Sequence, residues 1–176
     1  GNYTITASGN AEQGNYTVAY VAGTLTITSK VIDKDGKNVE VNSPTDHEYD
    51  SNAHKWSPTV TDKKSKKELE AGKDYTVEYS TKNFKDVGTI KVTITGIGNY
   101  SGTVTRTYKI TPKSVTVTAE DKTKVFGETD PKLTAKVAGT LGDDKVEYTL
   151  SREEGEAAGN YTITASGNAE QGNYTV

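Results

Sequence analysis

The sequence predicts a mainly β chain of small domains in tandem. An Ig-like β-sandwich is the first choice for each domain, and a β-grasp-like sheet with one short helix is the alternative. Apolar and polar residues alternate with period two in run after run, as in NYTITAS at 2–8 and TIKVTITG at 89–96, which is the pattern of half-buried strands. β-Branched and aromatic residues abound, 11 Tyr among them, and 17 Gly punctuate the runs, as strands joined by tight turns require. The third observation is a repeat. Residues 1–18 read GNYTITASGNAEQGNYTV, and residues 159–176 repeat them letter for letter, offset by 158 positions. A fixed offset of this kind marks an array of repeats. The residues after the first copy, AYVAGTLTITSK at 19–30, are therefore expected after the second copy in a longer parent protein.

Composition narrows the function classes. A chain of 176 residues holds one or two small domains, and a hydrophobic share of 32% leaves thin cores. Net charge is −3 with both signs interspersed, so neither nucleic acid nor membrane insertion is expected. The basic run Lys63, Lys64, Lys66 and Lys67 lies beside Asp62, Glu68 and Glu70 and reads as a solvated loop. No apolar run approaches a membrane span, and the absence of Cys removes disulfides and thiol chemistry.

In chain order, residues 1–30 hold three strand-like runs, 2–8, 15–22 and 23–30, read as the C-terminal strands of a truncated domain. Residues 31–112 read as a complete β-rich domain. It opens with VIDKDGKNVEV, where Asp35-Gly36 predicts a hairpin turn. A polar segment follows with Tyr49, Trp56 and Pro58, then PTVTD and a charged loop. In DYTVEYS, Tyr75, Val77 and Tyr79 share a face; in TIKVTITG, Ile90, Val92 and Ile94 do; in GTVTRTYKI, Val104, Tyr108 and Ile110 do. Residues 113–176 read as a second domain that lacks its last strand: SVTVTA, KVFGETDPKLTAKV, KVEYTL, the loop SREEGEAAG and the duplicated tail. The two domain types are related, since 79–96 aligns without gaps on 150–167, matching Ser80 with Ser151, Gly88 with Gly159, Val92 with Ile163 and Gly96 with Gly167.

These stretches carry a family resemblance. KVFGETDPKLTAKV, the acidic-Gly loop before GNYTI, and GTLTITSK resemble the MBG-type repeats of bacterial surface proteins, often described as mucin-binding. AGKDYTVEYS, VGTIKVTITGIGNYSGT and TYKITP are similar to β-rich repeats found beside them in Gram-positive adhesins. Phe126 stands where the motif usually has tyrosine. The resemblance implies an extracellular, cell-wall-anchored parent and host glycans or mucin as partners.

Candidate chemistry is sparse. Asp33, Asp35 and Asn38 lack the distal bidentate Glu of a calcium loop and read as a turn. His47 and His54, seven residues apart, lie near Asp46, Glu48 and Asp50 without recognisable zinc spacing. Asn-Tyr-Thr/Ser occurs five times and reads as turn-then-strand chemistry, not as glycosylation. No catalytic constellation, metal site or cofactor motif stands out, and no enzyme is expected. Tyr49 and Trp56 are the aromatics least explained by the strand faces; a hydrophobic plug is their first reading, and they are also the candidates for a glycan surface. The leading expectation is a stalk of tandem β-domains, with a binding module as the alternative. Because residues 113–176 lack GTLTITSK, Leu25 and Ile27 of a neighbouring chain are expected to complete that domain in trans, giving head-to-tail strand exchange.

Overall fold

The computed structural model describes residues 1–176. It is built of strands and turns without a helix, so the mainly β class holds and the alternative that needs a short helix has no counterpart. In chain order the strands are β1 (Asn2–Ile5), β2 (Glu12–Gln13), β3 (Tyr16–Thr17), β4 (Gly23–Thr26), β5 (Lys30–Val31), β6 (Val39–Val41) and β7 (His47–Glu48). Next come β8 (Val60–Asp62), β9 (Lys67–Glu68), β10 (Tyr75–Tyr79), β11 (Gly88–Gly96), β12 (Tyr100–Ser101) and β13 (Thr103–Thr111). The last are β14 (Lys113–Ser114), β15 (Thr116–Ala119), β16 (Ala135–Ala138), β17 (Thr149–Arg152), β18 (Ile163–Ser166), β19 (Glu170–Gln171) and β20 (Tyr174–Thr175). The longest strands form a sheet of order β10-β11-β13-β7.

Two compact units divide the chain. The first comprises Gly1–Asn42, Thr59–Glu78 and Thr93–Thr105. Its core is made of residues that period-two alternation turns inward: Val39 and Val41 on β6, Val60 on β8, Ile94 on β11 and Val104 on β13, with Ile32 and Leu69. β6, β8 and β9 form an antiparallel sheet, and β1 pairs antiparallel with β4, Tyr3 opposite Leu25. The second unit comprises Ser43–Pro58, Tyr79–Val92 and Arg106–Val176. It buries Ile90, Val92, Tyr108 and Ile110, together with Tyr49, Val115, Val146 and Tyr174. Antiparallel pairs β15–β16 and β17–β18 build its C-terminal part.

The hairpin expected at 31–41 does not form. The turn is present, with the Gly36 N–H donating to the Asp33 carbonyl at 3.2 Å and Gly36 at φ +61°, but its flanking strands pair elsewhere. β5 joins β12 in parallel and β6 joins β8. A two-residue Asp35-Gly36 turn would set Lys34 opposite Lys37, a like-charge cross-strand pair that destabilises a ladder. Pairing β6 with β8 instead buries Val39, Val41 and Val60 together.

Each unit closes on itself in the same way. A Gly-Asn-Tyr turn, with its glycine in the left-handed region (Gly98 φ +65°, Gly172 φ +60°), feeds a two-residue strand that pairs in parallel with the opening strand of its domain. In the first unit Lys30 N–H donates to Asn99 O (2.9 Å) and Ile32 N–H to Ser101 O (2.7 Å). In the second, Lys113 N–H donates to Asn173 O (3.0 Å) and Val115 N–H to Thr175 O (2.8 Å). A carboxylate then receives the tyrosine hydroxyl: Tyr100 donates to Asp62 at 3.2 Å and Tyr174 to Asp144 at 2.5 Å. Asp62 is buried and fully satisfied. Its other bonds come from the Lys30 ammonium (2.5 Å) and the Lys64 and Ser65 N–H groups (2.9 and 3.1 Å). These donors, Lys30 first, hold its carboxyl well below the usual carboxylate range.

The duplicated stretch gives a third Gly-Asn-Tyr turn at 14–16, and here no such closure exists. Tyr16 is 75% exposed, whereas its twin Tyr174 is 5% exposed. Tyr174→Phe is therefore expected to lower the unfolding free energy by about 1.5–3 kcal/mol, the worth of a hydrogen bond to a carboxylate. Tyr16→Phe should stay within about 0.5 kcal/mol of the parent. Urea denaturation checks both, and equal losses at the two sites would contradict the closure.

Candidate functional site

The sequence-derived aromatic candidates sit in the irregular segment Ser43–Pro58 of the second unit. Tyr49 is core. Its ring is buried and meets Tyr174 edge-on, with centroids 5.5 Å apart at 87°. Trp56 is half-buried, and its backbone is held by two tyrosine hydroxyls projecting from the sheet. Trp56 N–H donates to Tyr108 Oη (3.3 Å), Tyr79 Oη donates to Trp56 O (2.8 Å), and Tyr108 Oη donates to His54 O (2.7 Å). Beside them the Lys55 ammonium lies 4.7 Å from the Tyr79 ring centroid, and Tyr79 meets Phe84 edge-on at 5.2 Å. His47 and His54 stack on each other at 4.1 Å, and His54 Nε2 lies 2.8 Å from Asp50 Oδ1. Asp50 is held down to about 2, first by the Asn52 backbone N–H and then by His54.

A groove of about 710 Å³ lies in the C-terminal part of the same unit. One wall is the segment 155–163, which leads into β18. The other comes from the loop that carries Phe126, Pro131 and Leu133. Phe126 is 75% exposed although it sits in a turn closed by Glu128 N–H on Val125 O (3.1 Å), with Gly127 at φ +88°. Four charged side chains lock the two loops together in a closed ring. Lys124 Nζ bonds Asp130 Oδ1 and Glu156 Oε2, both at 2.7 Å. Arg152 bonds Asp130 Oδ2 (2.7 Å) and Glu156 Oε1 (2.5 Å), and its remaining donors reach Glu153 O and Gly155 O. Arg152 also lies over the Tyr161 ring at 5.6 Å.

The ring's cations and carboxylates are paired with one another, and the groove mixes polar residues such as Asp121, Lys122 and Asn160 with the apolar Phe126, Pro131 and Leu133. The other two sequence candidates, Leu25 and Ile27, lie in the first unit at 51% and 55% exposure, with Leu25 paired to Tyr3 and Ile27 bonded to Gly1. Sequence reasoning missed the four-residue ring. Lys124 and Asp130 stand more than twenty positions from Arg152, and no local spacing announces such a pairing.

The ring makes the unit acid-sensitive. Bonds from Arg152 and then Lys124 hold Asp130 down to about 2 from an ordinary 3.8, and Glu156 is lowered by Lys124 and Arg152. A carboxylate whose folded pKa is depressed stabilises above its unfolded value and loses that stabilisation as pH falls through the folded one. Thermal unfolding followed by Trp56 fluorescence should therefore show a midpoint that drops between about pH 4 and pH 2. Asp130→Asn should lower the midpoint at neutral pH and flatten the acid limb, and an unchanged limb would contradict the ring's role.

No curated protein and no solved structure matches the chain. The segment that carries the groove, residues 115–176, matches the family model of the MBG domain (YGX type). That agrees with the resemblance carried by KVFGETDPKLTAKV and the acidic-Gly loop.

Proposed function

We propose that the chain is part of a spacer of tandem β-repeats on a bacterial surface protein, divided at 1–30, 31–112 and 113–176, with no catalytic role. The observation that carries this reading is the packed junction inside the second unit. Tyr49 from the middle repeat meets Tyr174 of the MBG-type segment. Asn173 accepts from Val87 N–H (2.9 Å) and donates to Asp86 (2.9 Å), and Lys113 pairs with Glu48 at 2.8 Å. Successive repeats joined by aromatic packing and hydrogen bonds suit a load-bearing array better than a flexible string. The parent is extracellular and wall-anchored in this reading, and residues 23–27 of one chain complete the C-terminal domain of another head to tail.

A second reading, a module that binds mucin glycans, is favoured by one observation. Trp56 is half-exposed beside the Lys55–Tyr79–Phe84 cluster, and aromatic faces stack on sugars. Glycan-array binding separates the two. The spacer reading expects no dose-dependent signal, and a signal lost on Trp56→Ala would replace it with the binding reading. Small-angle scattering should give an elongated particle; repeats folded back on one another would count against a spacer.

A further inference from the structure

The first strand of the middle repeat lies parallel to its last. β5 pairs with β12, Lys30 beside Tyr100 and Val31 beside Ser101. Gly102 alone separates β12 from β13, which runs on to Thr111. The approach is close, since a Cβ on Gly102, at φ +83°, would lie 2.6 Å from Ile32 O and 2.9 Å from Val31 Cγ1. Two backbone bonds hold the pair, Lys30 N–H to Asn99 O and Ile32 N–H to Ser101 O, and Ser29 Oγ donates to Ser101 Oγ at 2.8 Å. Asp62, on β8, adds a cross-link. Its Oδ2 accepts from Lys30 of β5 at 2.5 Å and from Tyr100 of β12 at 3.2 Å, so one buried carboxylate oxygen is bonded to both strands.

Direction decides what these bonds do under tension. A pull along the chain enters β5 at Lys30 and leaves β13 at Thr111. Because β5 and β12 are parallel, those two points lie at opposite ends of the pair, and the strands can part only by sliding. Sliding strains both backbone bonds and the Asp62 cross-link at once, whereas lifting one end would break them in turn. While the pair holds, tension passes from β5 to β12 and on along β13, and the backbone from 33 to 98 is not stretched. Pro112 then joins β13 directly to β14, whose pairing with β20 is parallel as well. We propose that β5, β12 and Asp62 form a shear clamp, which lets the repeat carry tension along the chain without unfolding. This rests on the spacer reading above, which supplies the tension, and assigns the element that resists it.

Pulling on the same bonds in two directions tests this. The chain contains no cysteine, so handles attach only where one is introduced. Thr28→Cys with Pro112→Cys applies tension along the chain. Thr28→Cys with Asn99→Cys pulls apart the adjoining ends of β5 and β12. In optical-trap measurements on the full chain, the first pair should rupture at roughly twice the force of the second, because two backbone bonds share the pull in one case and take it singly in the other. Tyr100→Phe cuts Asp62 from β12 and leaves Lys30 attached to it, so it should lower the first force more than the second. Equal forces in the two directions would overturn the clamp and leave the spacer reading to the scattering profile. A twofold difference in a chain whose repeats fold back on one another would keep the clamp and remove the spacer. A first force that Tyr100→Phe leaves untouched would overturn the part assigned to Asp62.

Discussion

The parallel pairing that closes each unit is the constraint on which the rest depends. Two residues after a Gly-Asn-Tyr turn reach back to the opening strand of their own domain, and the tyrosine hydroxyl finds a carboxylate on a third element. In the first unit this contact spans a sequence separation of 72 at Ser29–Ser101. A parallel pair cannot be joined by a tight turn, so a long stretch of chain lies between the two strands that close each unit. Asp62 shows how specific the arrangement is. A buried carboxylate is tolerated only when its lone pairs are used, and here four donors from three places converge on it.

Thin cores give tyrosine an unusual share of the structural work. Its ring supplies apolar area, and its hydroxyl satisfies polar backbone that no ladder reaches. Tyr79 and Tyr108 do this for residues 54–56, and Tyr174 does it for the 141–144 turn by accepting from Leu141 N–H at 3.1 Å. The segment around Trp56, irregular and polar in sequence, is held for this reason by the strands behind it. Its order comes from side chains far away in the chain, which a local pattern cannot convey.

The charge ring ties together two loops far apart in the sequence: Lys124, Asp130, Arg152 and Glu156 pair around a closed circuit that joins the 124–130 and 152–156 stretches. In the middle repeat β11 has β10 on one side and β13 on the other, and Tyr108 and Ile110 of β13 are buried. Leu25 and Ile27, in the strand that follows the first copy, are half-exposed.

Because eighteen residues occur twice, the molecule separates local from tertiary determinants by itself. Both copies form the same small hairpin, β2–β3 and β19–β20, with the same closing bond from Val18 N–H to Ala11 O and from Val176 N–H to Ala169 O, 2.7 and 2.8 Å. Turn chemistry at Gly-Asn and β-branched flanks suffice for it, so sequence alone determined these hairpins, as it did the inward faces of β11 and β13. Everything that depends on a distant partner came out differently. Tyr16 is solvated and Tyr174 is core; Ile5 lies opposite Gly23 of β4, whereas its counterpart Ile163 lies opposite Arg152 of β17. The failed hairpin at 31–41 and the unannounced charge ring have the same cause. Strand pairing and burial are decided by which surfaces the folded chain brings together, and identical residues cannot encode two different neighbours.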